Sequence, residues 1–220
     1  MKKMVLIALC LLFGCFVFAG CSSGDEPFEE KVYTPVKQVR EINLDVQDRE
    51  IEVALSEDEQ VHIKYFENSD ESYDISISDE NVLTMNSTSN KGWSDFISVQ
   101  APNEARKILL QIPDALLESL TISTTNEDIS ISKLTVTDGI SITSNGGNIA
   151  FDGLDTGISI SLTAKNGDIE GTVIGGWDDF AIKCNVKKGD SNLPESKDGG
   201  EKVLNVSGNN GDVNIEFVKE

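Results

Sequence analysis

Basic residues, histidine, aromatics and cysteine are all scarce in this 220-residue chain, and each shortage removes a class of function. Eighteen Lys and Arg face 38 Asp and Glu, a formal charge of −20. Binding to nucleic acid or anionic lipid rests on basic surface, so no nucleic-acid partner is expected. The single histidine, His62, sits between Val61 and Ile63 and is turned outward beside Lys64 by the alternation of that stretch. One exposed imidazole makes neither a metal site nor a catalytic triad. Of the four cysteines, Cys10 and Cys15 lie in the apolar N-terminal run, which leaves Cys21 and Cys184 and no disulfide framework. No helical stripe of apolar residues follows that run.

What is present begins with Met1-Lys2-Lys3, an apolar stretch from Met4 to Phe18 and then Ala19-Gly20-Cys21. This is the order of a secretory signal, and the stretch is short for a spanning helix, which needs about 20 residues. Cys21 after two small residues resembles the bacterial lipoprotein box, with Phe18 in place of the usual aliphatic residue. Residues 1–20 are therefore expected to be a lipoprotein signal peptide, and Cys21 the lipidated N-terminus, acylated with palmitate-type chains. Two acyl chains anchor stably, so the expected location is the cell membrane, lipid-anchored on its extracytoplasmic face. Without Lys2 and Lys3, sixteen basic residues remain against 38 acidic ones, a balance of −22.

Residues 21–37, acidic and broken by Pro27 and Pro35, read as a flexible tether. Period-two alternation then takes over at Ile42-Leu44-Val46, Ile51-Val53-Leu55, Val61-Ile63-Tyr65 and Leu83-Met85, which predicts strands. The segment 38–118 is expected to form an N-terminal β region that caps a repeat beginning at 119.

From 119 to 220 the pattern repeats every 20 to 22 residues, the mark of a solenoid. The corners are Glu127-Asp128-Ile129, Gly147-Asn148-Ile149, Gly167-Asp168-Ile169, Gly189-Asp190-Ser191 and Gly211-Asp212-Val213. Seven residues before the third member of each stand Ile122, Ile142, Leu162, Cys184 and Val206. Nine before it stand Leu120, Ile140, Ile160, Ile182 and Leu204, so all ten positions are apolar. Leu134, Leu154 and Ile174 suggest a weaker third side. Stacked coils of this kind pair equivalent strands in parallel, and parallel connections prefer a right-handed crossover. The expected fold is all-β, a right-handed single-stranded parallel β-helix or β-roll-like solenoid.

The stretches "KILLQIPDALLESLTISTTNEDISIS", "GISITSNGGNIAF" and "ISLTAKNGDIEG" resemble the bacterial domain-of-unknown-function family labelled putative adhesin. The resemblance covers roughly 40–218 and is strongest over 107–173. It implies an extracytoplasmic β-solenoid, often lipid-anchored, with no established catalytic residues to carry over. Glu127 stands where that pattern has Gly, and Ser191 where it has an apolar residue.

The corners also raise a chemical question. Their second members should stack into a column, and close carboxylates could share a hard cation, with Asp168, Asp190 and Asp212 as the candidate ligands. Against this, the full glycine-rich calcium repeat of β-rolls is missing, and corner Asp and Asn side chains ordinarily bond local backbone amides. A phosphate loop would run into a helix, whereas these corners run into strands. Cys184, in a ladder position, reads as a small buried hydrophobe. Trp177, beside Asp178 and Asp179, could stack on a sugar or cover the coil flank, and Trp93 and Phe96 read as capping hydrophobes.

No catalytic set or cofactor site is evident. The leading expectation is a non-enzymatic adhesion, interaction or scaffolding module of the envelope, with a protein or glycan partner and an unknown ligand site. The alternatives are a polysaccharide-active β-helix enzyme, for which residues 119–218 lack any Arg, and an accessory of an envelope-stress sensor.

Overall fold

A computed structural model describes residues 26–89 and 101–219. Cys21, Trp93 and Phe96 lie outside the described residues. The chain is built from strands. Before the repeat come β1 (Glu29–Tyr33), β2 (Glu41–Asp45), β3 (Glu50–Leu55), β4 (His62–Glu67), β5 (Glu71–Ile77), β6 (Val82–Ser89) and β7 (Lys107–Ile112). The first coils comprise β8 (Ser119–Thr124), β9 (Ile129–Ile131), β10 (Leu134–Val136), β11 (Gly139–Ser144) and β12 (Ile149–Thr156). Then follow β13 (Ser159–Asn166), β14 (Ile169–Ile174), β15 (Phe180–Lys188), β16 (Ser196–Lys197), β17 (Lys202–Asn210) and β18 (Val213–Val218).

Two mostly parallel sheets result. The first runs β1-β4-β7-β3-β9-β12-β14-β18, with β10 beside β12; the second runs β16-β15-β17-β13-β11-β8-β2-β6-β5. The seven- and nine-residue intervals put the apolar ladders in register, Leu120–Ile140–Ile160 and Ile122–Ile142–Leu162, all buried between the sheets. Each such side chain contributes about 1.5–3 kcal/mol by leaving water. Alternation carries the intervening residues to the outer faces.

The region 38–118 is more than a cap. Leu44 pairs with Ile122 and Ile51 with Ile129, so β2 and β3 add a parallel rung with the same seven-residue interval. β6 and β7 extend that rung in parallel. Antiparallel β5 closes the second sheet and antiparallel β4 and β1 the first. The stretch 21–37 differs from a tether along its middle: Glu29–Tyr33 pairs with β4, Lys31 opposite Tyr65, because Tyr33 packs against the core.

Two further departures concern the repeat. The third ladder is Leu134–Leu154–Val173, one residue short of Ile174, because β12 carries an extra residue at Gly153, whose φ of 79° accommodates the bulge. The rungs also do not stack in chain order: β13 pairs with β17, and β15 lies outside β17. The outermost corner is irregular at Ser191, where the pattern has an apolar residue. Its hydroxyl instead accepts from the Leu193 amide at 3.0 Å and donates to the Leu193 carbonyl at 3.3 Å, and only an isolated bridge to Val213 forms. The chain turns back as β16, antiparallel on the outer edge of β15, and β17 then lies between β15 and β13.

Candidate functional site

The glycine corners form a column dictated by contact between rungs. A Cβ on Gly147 would lie 2.2 Å from the Glu127 carbonyl oxygen, and one on Gly167 would lie 2.2 Å from that of Gly147. Gly211 sits against Gly167, and Gly189 against Gly211, which repeats the inverted order of the strands. Real Cβ atoms do not approach so closely, so these positions admit only glycine.

The neighbouring Asx residues bond from rung to rung and not within their own turn. The Asn148 amide donates to Asp128 Oδ1 at 2.6 Å and the Asp168 amide to Asn148 Oδ1 at 2.9 Å. Above them, the Asp212 amide donates to Asp168 Oδ1 and the Asp190 amide to Asp212 Oδ1, both at 2.8 Å. The three cation candidates are thus brought together in the order Asp168, Asp212, Asp190. One oxygen each of Asp168 and Asp212 is committed to a backbone amide. Among the described residues no group of three or more His, Cys, Asp or Glu is arranged to hold a metal ion.

Glu127 departs from glycine because its carboxylate meets Arg106 in an ion pair. Two buried hydroxyls brace the same corners: Ser144 Oγ accepts from the Gly147 amide at 2.9 Å, and Thr124 Oγ1 donates to the Arg49 carbonyl at 2.8 Å. Arg49 itself, two residues before Ile51, holds the place that glycine takes in later corners. It is 5 % exposed and pairs with Glu71 and Tyr73 on β5, tying the antiparallel closure to the first corner. Burial pulls its guanidinium down, but Tyr73 and Glu71 together hold it above its ordinary value. Sequence reading missed this residue, although the interval from Leu44 to Ile51 marks the corner.

His62 faces outward but is engaged, its ring nitrogens 2.9 Å from Thr34 Oγ1 and 2.9 Å from Asp58 Oδ1. The hydrogen bond from His62 holds the Asp58 carboxyl below its usual range. Cys184 is buried, its amide bonded to the Glu195 carbonyl at 3.0 Å. Trp177 packs edge-on against Phe217 at 5.3 Å and carries Lys197 over its ring at 5.5 Å, so it covers the flank of the stack while remaining part-exposed.

With the corners committed to structure, the open surfaces are the sheet faces. The outer face of the first sheet holds a trough of about 550 Å³ whose floor includes Ser130 and Ala150 and whose sides carry Glu52, Asp152, Glu170 and Glu216. These carboxylates repel anionic ligands. No nucleophile with an activating base lies in it.

Residues 39–216 match the family described as Toastrack DUF4097. The fold is similar to a putative cell adhesion protein from Clostridium sporogenes ATCC 15579, with a TM-score of 0.58, 13% identity, and coverage of 87% of this chain and 100% of that one. A putative adhesin from Bacteroides fragilis NCTC 9343 is also similar, at TM-score 0.48 and 15% identity over 88% of this chain and 98% of that one. No curated protein matches the chain. With the match spanning both sheets and every corner, the chain belongs to the Toastrack DUF4097 family.

Proposed function

We propose that this protein is a lipid-anchored module of the cell envelope that presents its sheet faces for adhesion or for scaffolding of other envelope components, without catalysing a reaction. The observation that carries this reading is the division of labour in the stack: the corner Asx and Gly residues are spent on rung-to-rung contacts, while two long faces stay open. Rigid stacks of this kind suit extended binding surfaces. The putative cell adhesion protein of similar fold supports the same reading. We read the stack as right-handed, following the crossover preference of parallel strands.

The anchor is Cys21, on the outer face of the membrane. Only residues 22–28 separate it from β1, a reach of at most about 25 Å when extended. The stack is accordingly held close to the bilayer, with the β1 end nearest. Palmitate labelling of cells should mark the wild-type protein and not Cys21→Ala; equal labelling would remove the anchor from this reading. Crosslinking in intact cells, followed by mass spectrometry, tests the module itself and should recover envelope components. Recovery of none would sink it.

A further inference from the structure

The outer faces of the two sheets differ in charge. Where the first sheet exposes Asp152, Glu170 and Glu216, the second presents Thr121, Ser141 and Ser161 in one row across β8, β11 and β13, and Ser123, Thr143 and Thr163 in the next. Parallel strands lie about 4.8 Å apart and alternate residues about 6.7 Å apart along a strand, so six hydroxyls form a flat two-row grid. Among the described residues none of the six takes part in a side-chain hydrogen bond. Each hydroxyl can both donate and accept, and each is left facing solvent.

The rows continue to Asn205 and Ser207 on β17. There the surface sinks into a trough of about 410 Å³, walled by Glu195 and Ser196 and crossed by Lys183 from β15. That volume falls within the range of about 300–1,000 Å³ typical of small-ligand sites.

Charge decides the occupant. In a chain with 38 acidic residues, an anionic polymer is repelled, and a cationic one is drawn to the carboxylates of the first sheet. An apolar partner finds none of the exposed large hydrophobic residues on the grid. Groups that donate and accept without charge complement this face. We propose that the outer face of the second sheet binds an uncharged polysaccharide laid across the strands, with the trough receiving its sugar rings. This rests on the reading of the protein as an adhesion module and names the ligand class of that module.

The test is affinity electrophoresis of the full-length protein in detergent, through gels containing dextran, galactomannan or laminarin, with polygalacturonate as the anionic comparison. At least one neutral polymer should retard the protein. Thr143→Glu and Ser161→Glu should each weaken that retardation roughly ten-fold, since each buries a charge against the polymer. Thr143→Val, which keeps the size and loses the hydroxyl, should weaken it less, and Glu170→Gln on the opposite face should leave it unchanged. Retardation by none of the three, stronger retardation by polygalacturonate, or survival of binding in both Glu variants overturns the proposal. If the wild-type protein still crosslinks to envelope proteins in cells while no neutral polymer retards it, only the glycan inference falls. If it does neither, the adhesion reading falls as well.

Discussion

The Asp212 amide donates to the Asp168 carboxylate at 2.8 Å across 44 residues of sequence, and the Asp190 amide, earlier in the chain, donates in turn to Asp212. The corner carboxylates are therefore links between rungs. Asp168→Ala removes the acceptor for the Asp212 amide and should lower stability by about 1 kcal/mol in urea unfolding. Asp168→Asn should lower it by less, because Asn148 already performs this task one rung below.

Calcium bears on the same column. With one oxygen of Asp168 and one of Asp212 held by amides, millimolar calcium should leave the thermal midpoint unchanged. A rise of several degrees, abolished by Asp212→Asn, would show that the remaining oxygens hold a cation.

Gly147 has no room for a methyl group, since the Glu127 carbonyl oxygen would lie 2.2 Å from it. Gly147→Ala should force the two rungs apart at a cost of about 1–3 kcal/mol. The loss should appear in chemical unfolding with far-UV spectra still showing β-structure.

Arg49 and Glu71 form an ion pair with side chains 6% and 16% exposed. Arg49→Met removes a buried cation and its ties to Glu71 and Tyr73, so it should cost about 3 kcal/mol, the low end for a buried pair because Glu71 keeps some contact with water. Local hydrogen exchange should rise first in β5 and β6 if the pair secures that end of the second sheet.

Tyr65 supplies a pH test. Burial pushes its phenol up from 10.0 to about 12, so the neutral form is favoured in the fold. A raised folded value means a stabilising contribution fully present below pH 10 and lost as pH rises through about 12. Burial also raises the Tyr73 phenol, so phenolate absorbance should show two late-titrating tyrosines in wild type and one fewer in Tyr65→Phe.

The ladders were legible in the sequence because strand and corner keep a constant length: seven residues from Ile142 to Ile149 and from Leu162 to Ile169 fix both register and facing. The third-side position was misread by one residue because a bulge at Gly153 adds length without changing the apolar pattern. Stacking order was not legible. Val206 and Cys184 obey the same spacing, so the apolar pattern does not tell which of them lies beside Leu162. Arg49 was hidden because its partners Glu71 and Tyr73 come from an antiparallel strand outside the repeat. The uncharged grid needs the pairing of β8, β11 and β13, which turns three separate Ser and Thr runs into one surface.

Since β17 follows β15 in the chain yet lies between it and β13, β15 has no parallel neighbour until residues 202–210 arrive. Phe180, Ile182 and Cys184 pair with Lys202, Leu204 and Val206, so the apolar ladder of β15 depends on β17 for its place in the stack. β17 sits in the stack like a keystone, and a chain cut short before Lys202 would leave that apolar ladder open to proteases. Residues 202–210 are thereby a condition for a closed structure.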